Sequence, residues 1–395
     1  MNKTEWKEKK TSLGNAIIAG AVAAILGLVI GLNWQGWFAS YSPYLGNKNS
    51  NNIDWSPLNE VYDRLASEYN GEIDKTAIVE GAKKGLVAAL GDIYSVYMDS
   101  QESTAFNDSL HGNVGSGVGI EMGLRDGYVR VLRTLPDNPA RKAGVLAGDI
   151  IYKIDGEEVY ALSTEEIANR IRGESGTEVT VTVARDGEEL SFTMIRETIN
   201  NVSAYVDYDG STAIVTVVRF DTDTGTLVQN FAKDFASKGI DKVILDLRDN
   251  GGGYVSAAQD LLSLWLNGDK ILIQKSLHFG NTITSAYNGK AILANTKTIV
   301  LVNGSTASAS EITAGALQDY KKATIVGETT YGKGVVQQVD YLSNNTILKV
   351  TTADWYTPLD RSINKTGITP DIEVKRSYED INNMRDPQLD KAKEL

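Results

Sequence analysis

The residues best suited to chemistry lie between Asn303 and Gln337, which read NGSTASASEITAGALQDYKKATIVGETTYGKGVVQ. Small residues run from Gly304 to Ser310, and Ile312, Ala316 and Leu317 then recur at helical spacing. A short apolar strand, Thr324–Val326, leads into a turn, Gly327–Gly334, that holds one lysine, Lys333. A serine at a helix start gains free backbone N–H groups that stabilise an oxyanion, and a dipole that favours negative charge. Ser308 and Ser310 both sit near that start. What either serine needs is a base, and the chain has only two histidines, His111 and His278, neither in a catalytic context. A lysine serves instead if burial lowers its pKa from about 10.4 toward about 7–8. Lys333, flanked by Gly332 and Gly334, suits a tight, desolvated turn.

The stretch resembles the carboxyl-terminal processing (tail-specific) serine proteases. In that family a serine in a TASASE or SASASE run is the nucleophile, and a lysine in a TYGKG or TFGKG turn is the base. The resemblance implies Ser308 as nucleophile, Lys333 as base and Gln337 as the residue that orients the lysine. Two other motifs compete. Gly327–Lys333 fits most of the phosphate loop G-x-x-x-x-G-K, but Gly334 stands where Ser or Thr is required, and Val335, Val336 and Val339 predict a strand where a helix should follow. Ser362–Gly367 (SINKTG) carries S-x-x-K and K-T-G, yet the two share Lys365 and so cannot be separate elements.

Composition narrows the class. At 395 residues the chain holds two or three domains and a buried core. A net charge of −12 argues against a nucleic-acid partner. Absence of cysteine excludes disulfides and thiol chemistry. A lysine-activated serine calls for no metal and no cofactor.

Residues 16–32 (AIIAGAVAAILGLVIGL) form an apolar run that extends to Phe38 with only Asn33 and Gln35 as polar breaks, long enough to span about 30 Å of hydrocarbon. Lys3, Lys7, Lys9 and Lys10 precede it, and Trp34 and Trp37 close it. This pattern predicts a cytoplasmic N-terminus (1–12), a transmembrane signal-anchor (13–38) and an extracytoplasmic remainder, held at the cell membrane by a single pass. The region around Trp37–Ser40 lacks a small-x-small cleavage site, so an uncleaved anchor is expected over a signal peptide. Residues 39–54, rich in Ser, Asn and Gly, read as a linker.

Residues 55–112 read as helical, with Val61, Leu65, Ile78, Ala82, Leu86 and Leu90 at intervals of three and four. They resemble the family's N-terminal helical region, whose D-P-Y-S becomes DIYS here, with Ile93 for proline. A scaffold and a possible homodimer contact are expected. Residues 113–198 resemble a PDZ domain. Its peptide-receiving loop and strand would be Gly115–Ile120, with Gly117, Val118, Gly119 and Ile120 binding a peptide C-terminus through backbone groups. Asn138-Pro139 should start a short helix ended by Gly144, and Ser163 with Glu166 a capping box. The IRGESGT segment matches a family motif, and Arg172 within it is assigned to PDZ–protease coupling.

Residues 199–375 should form the protease core. Strands Ile214–Val218 and Val243–Leu247 flank an amphipathic helix over 227–235, and DLRDNGGG (Asp246–Gly253) follows. The family's usual form has proline where Gly251 stands. A glycine turn lets backbone N–H groups approach a ligand, so Gly252 or Gly253, with Ala309, would make the oxyanion hole. TTADWYTPLDRSINKTGITPDIEV matches the family's closing segment, and residues 376–395 read as a charged, mobile tail. The expected fold class is α/β: a mixed α/β protease core, by resemblance a crotonase/ClpP-like sandwich, with an inserted β-rich PDZ domain and an N-terminal helical region. The function expected is a membrane-anchored endopeptidase acting on proteins or peptides with accessible C-termini. A catalytically inactive PDZ adaptor or chaperone on the same fold is the alternative.

Overall fold

The computed structural model describes residues 53–395 except 113, 114, 126, 200 and 384. The expected cytoplasmic segment and membrane anchor lie outside the described residues. Among the described residues no helix is long and apolar enough to cross a membrane. The described residues before Thr76 belong to a separate unit. Among them the helix Ser56–Glu68 carries Leu58, Val61 and Leu65 on a single exposed face.

From Thr76 onward the chain forms one unit with two main cores. The larger is built on a six-stranded sheet ordered Ala204–Asp209, Thr212–Val217, Lys242–Asp246, Lys297–Val302, Thr324–Gly327 and Ile372–Glu373. The first pair is antiparallel and the rest parallel. Parallel neighbours need crossover helices, and strands covered on both faces must be apolar throughout. Val243–Leu245 and Val300–Val302 meet that demand with almost no exposure. The crossovers place Thr224–Phe235, Val255–Leu262 and the serine helix, Ala309–Asp319, against the sheet. A second, five-stranded sheet is centred on Ile347–Tyr356, which pairs with Val96–Met98, Val335–Tyr341 and Lys270–Ser276; Gly280–Ser285 pairs with the last.

The PDZ region is its own sheet, Ile120–Arg125, Tyr128–Thr134, Ile150–Ile154, Glu178–Arg185 and Glu188–Ile195, around a core of Val131, Ile151, Ile167, Val181 and their neighbours. Its local signals hold. Pro139–Ala143 is a helix ended by Gly144 at φ 93°, and Ser163 and Glu166 cap Thr164–Ile171 reciprocally.

Two expectations are corrected. Residues 55–112 are not helical throughout: helices Lys75–Ala88 and Ser100–Leu110 flank the strand Val96–Met98, which joins the core's second sheet. The C-terminal tail is ordered. Helix Pro387–Glu394 buries Gln388 and Ala392, with Ala392 packed on Ile244, Ile299 and Val326. Asp386 pairs with Arg248 at 2.7 Å and Gln388 Oε1 accepts from the same guanidinium at 3.1 Å. A composition dominated by charge hid one buried alanine, one buried glutamine and one largely buried ion pair.

Candidate active site

Thr306–Ser310 is a turn held from several sides. Thr306 Oγ1 donates to Leu247 O (2.8 Å), Ala307 N to Asn250 O (3.0 Å) and Ser310 Oγ to Asn250 O (3.0 Å). Asn250 is fully buried, and its Nδ2 donates to Val217 O at 2.7 Å. These ties hold Ser308 at φ 58°, ψ −118°, which costs a non-glycine residue about 1–3 kcal/mol and persists only where neighbours over-determine it. The two candidate serines are thereby separated. Ser310 is completely buried with its hydroxyl committed, while Ser308 lines a cavity of about 520 Å³.

Lys333 and Gln337 line the same cavity. One carboxylate fixes the lysine turn to the serine. Glu311, fully buried, takes Ser308 N–H and Lys333 N–H on Oε2, each at 2.9 Å. The two backbone nitrogens, sharing one acceptor oxygen, lie less than about 6 Å apart. Its Oε1 accepts from Thr330 Oγ1 at 2.6 Å and from Gly332 N–H at 2.7 Å. Gly332 sits at φ 87° against the backbone of Lys365–Gly367, where a side chain would strike Thr366 N at 2.9 Å. Lys333 O accepts from Trp355 Nε1 at 2.8 Å. Among the described residues no hydrogen bond or ion pair reaches Lys333 Nζ, which lies 5.5 Å from the Tyr94 ring centroid. Burial pushes its pKa below the ordinary lysine value, the charge of Lys349 pushes the same way, and Glu311 opposes them.

Gln337 follows an irregularity in the pairing of its strand with Ile347–Tyr356. Its Nε2 donates to Tyr94 O, and no hydrogen bond joins it to Lys333 Nζ. Here Gln337 is oriented toward the cavity by the DIYS segment and does not itself hold the lysine.

The glycine loop reaches the serine directly. Gly252, at φ 100°, packs so closely that a Cβ would stand 2.8 Å from Ser308 Cβ and 2.9 Å from Ala309 N. Its own N–H, however, donates to Asn250 Oδ1 at 2.8 Å. Gly252 is therefore corrected from oxyanion donor to spacer. The N–H groups of Gly253 and Ala309 have no protein acceptor among the described residues.

At the PDZ end, Ile120–Arg125 is an edge strand beside helix Thr164–Ile171. The carbonyls of Val118 and Gly119 accept from Ala140 N and Leu135 N, while their N–H groups take no partner among the described residues. Gly117 is instead in a two-residue strand paired with Glu197–Thr198. Arg172 is corrected as well. It is exposed at the end of its helix, bonds Asn169 Oδ1 at 3.3 Å and packs beside Gly117 within the PDZ domain. The PDZ residue that lines the cavity is Arg133, paired with Glu121.

Known proteins share this organisation. The model of peptidase family S41 matches residues 211–374, that of a PDZ domain residues 130–185, and that of the activating protease CtpB N-terminal domain residues 40–102. A carboxy-terminal-processing protease of Bartonella bacilliformis is 35% identical over 323 residues, covering 80% of this chain and 74% of that protein. The chain belongs to the carboxy-terminal-processing serine proteases of family S41. A probable CtpA-like serine protease of Staphylococcus aureus is 32% identical over 339 residues, 84% of this chain and 68% of its own. Among solved structures, the photosystem II D1 C-terminal processing protease superposes with a TM-score of 0.52 at 29% identity, covering 82% of this chain and 87% of that one.

In this S41 protease the sequence reading missed three contributors. Glu311 was legible as the fourth residue of S-x-x-E, a capping-box spacing, and its burial was not. Asn250 was hidden between two better-known neighbours in DLRDNGGG. Tyr94 belongs to a region read as scaffold, so the DIYS segment does touch the site.

Proposed function

We propose that this S41 protease cleaves by a Ser308–Lys333 dyad. Ser308 Oγ attacks the scissile carbonyl while neutral Lys333 Nζ takes its proton. The oxyanion accepts hydrogen bonds from Gly253 and Ala309 N–H, the latter at the start of the serine helix. The lysine ammonium then gives its proton to the leaving amine, and water, deprotonated by the same lysine, hydrolyses the acyl-enzyme. The observation that carries this reading is the shared Glu311 oxygen, which binds Ser308 and Lys333 backbones beside one cavity with two unpartnered N–H groups. Gln337, with its amide nitrogen engaged, presents Oε1 as an acceptor for the lysine once substrate is bound.

The free N–H groups of Val118 and Gly119 beside the Ile120–Arg125 edge support recognition of a protein C-terminus by strand addition. The apolar run at 16–32, preceded by lysines, supports a membrane anchor with the protease outside the cytoplasm. The exposed face of Leu58, Val61 and Leu65 supports pairing with a second copy.

The deciding comparison is Ser308→Ala against Ser310→Ala, assayed on unfolded casein together with thermal melting. Ser308→Ala should lose turnover and keep its melting point. Ser310→Ala should retain turnover but lose about 0.5–1.5 kcal/mol, because one buried hydrogen bond goes while Asn250 O keeps the Ala307 N–H. Turnover surviving in Ser308→Ala ends the dyad reading.

A further inference from the structure

The cavity around Ser308 has a one-sided charge. Lys333, Lys349, Arg133 and Arg219 all line it, and among the described residues no aspartate or glutamate does, in a chain whose net charge is −12. Two of the four cations are answered locally. Arg133 pairs with Glu121. Arg219 reaches Asp221 at 3.4 Å and donates to Asn201 O, although its Nη1 is buried without an acceptor. Lys333 is occupied by the chemistry proposed above.

Lys349 is the residue left over. It lies on the central strand Ile347–Tyr356, between Val96 and Val339 of the two neighbouring strands. Trp355, beyond a bulge on the same strand, also lines the cavity. Among the described residues the Lys349 ammonium makes no hydrogen bond or ion pair, and it lies over the Phe106 ring, 5.6 Å from Nζ to centroid. Burying a cation in this way is unfavourable unless something supplies the missing negative charge. Burial lowers its pKa, the direction expected for a cation waiting for a counter-ion. Nothing in the fold requires a lysine here, since Ile347 on the same strand face and the cross-strand partners Val96 and Val339 are apolar.

Taking Ser308 and Lys333 as the reacting pair, we propose that Lys349 is a specificity-determining residue that binds a carboxylate of the substrate peptide next to the scissile bond. The carboxylate has two sources, an acidic side chain flanking the cleavage site or the free terminus of a substrate cut close to its end. Either would sit against Lys349, in a cavity walled by Phe106, Trp355 and Val339, where a charge-assisted bond is stronger than in water.

The experiment uses the full chain and a fluorogenic peptide that it cleaves. Glutamate is exchanged for glutamine at each position flanking the scissile bond, and each peptide is made with a free and an amidated terminus. kcat/KM is measured for the parent enzyme, Lys349→Met and Lys349→Arg, with melting curves for all three. The parent should prefer the carboxylate-bearing member of one pair by about tenfold or more. Lys349→Met should bring a glutamate ratio near one and reduce a terminus ratio to whatever the PDZ domain contributes, and Lys349→Arg should keep most of the parent value. Each ratio cancels any effect of Lys349 on Lys333, and the change of ratio from the parent to Lys349→Met cancels any terminus preference that belongs to the PDZ domain. Loss of the ratio for an internal glutamate identifies a side-chain carboxylate; loss of the free-versus-amidated ratio identifies the terminus. A ratio unchanged by Lys349→Met in every pair overturns the proposal. Ser308→Ala is run alongside, and its residual turnover would indict the dyad itself and not the role of Lys349.

Discussion

Glu311→Gln is the substitution that tests the architecture most severely, because it keeps shape and removes only charge and two lone pairs. Both carboxylate oxygens face hydrogens: Oε1 those of Thr330 Oγ1 and Gly332 N, Oε2 those of Ser308 N and Lys333 N. An amide nitrogen at Oε2 would confront two backbone N–H groups. At Oε1 the Thr330 hydroxyl can turn to accept, but Gly332 N–H is stranded. The least costly arrangement therefore leaves one buried donor unpaired, at about 1–3 kcal/mol, and weakens the others from charge-assisted to neutral bonds at about 1 kcal/mol each. We expect a loss of about 3–5 kcal/mol, which for a unit of this size lowers Tm by roughly 4–7 °C. Ser308 and Lys333 lose their shared anchor, and a displacement of about 1 Å costs on the order of a hundredfold in rate. Melting by circular dichroism and kcat/KM on a peptide, both at a temperature where the variant is folded, give the answer. A variant within about 2 °C and about threefold of the parent would mean that Glu311 does not position the pair.

Lys333 should show activity and stability in opposition. Its pKa is depressed in the folded state, so the unfolded chain binds more protons between that value and about 10.4, and stability rises with pH across this window. Below the window the penalty of a buried charge is fully present. Lys333→Met should thus be inactive yet melt higher at neutral pH, and a lower Tm there would contradict the burial argument. In the parent, kcat/KM should fall with pH as the lysine protonates, and Lys349→Met should move that acid limb to higher pH by removing a like charge. For the proposed anchor and dimer, the full chain should sediment with membranes and a chain without residues 1–38 should not. That soluble chain should lose its dimeric mass on replacing Leu58, Val61 and Leu65 with serine; membrane release of the full chain, or a monomer throughout, would refute the respective reading.

Much of this protein is decided locally and could be read from the chain. Alternating and continuous apolar runs fix the strands Val179–Val183 and Val243–Leu247, since each residue's face follows from its position in the pleat. Ser163 and Glu166, or Pro139 and Gly144, satisfy a helix end with neighbours a few residues away. The serine run and the glycine-flanked lysine were visible for the same reason: each is a short segment whose backbone demands particular residues.

Tertiary structure decided what depends on partners distant in sequence. Ser308 and Ser310 are alike as a sequence and differ only because Asn250 claims one hydroxyl. Gly252 and Gly253 are alike until the Asn250 side chain, held by Val217 O from a distant strand, takes the N–H of the first. Arg172 looked like the link between domains, but strand Tyr128–Thr134 brings Arg133 to the cavity while Arg172 lies beside Gly117. The charged C-terminus carried no periodicity long enough to announce a helix, and it is ordered by Arg248 and by the sheet residues that Ala392 covers. A hydrogen bond between residues sixty or more positions apart leaves no trace in local propensity, so the chain alone shows the candidate groups and only the folded molecule assigns them their work.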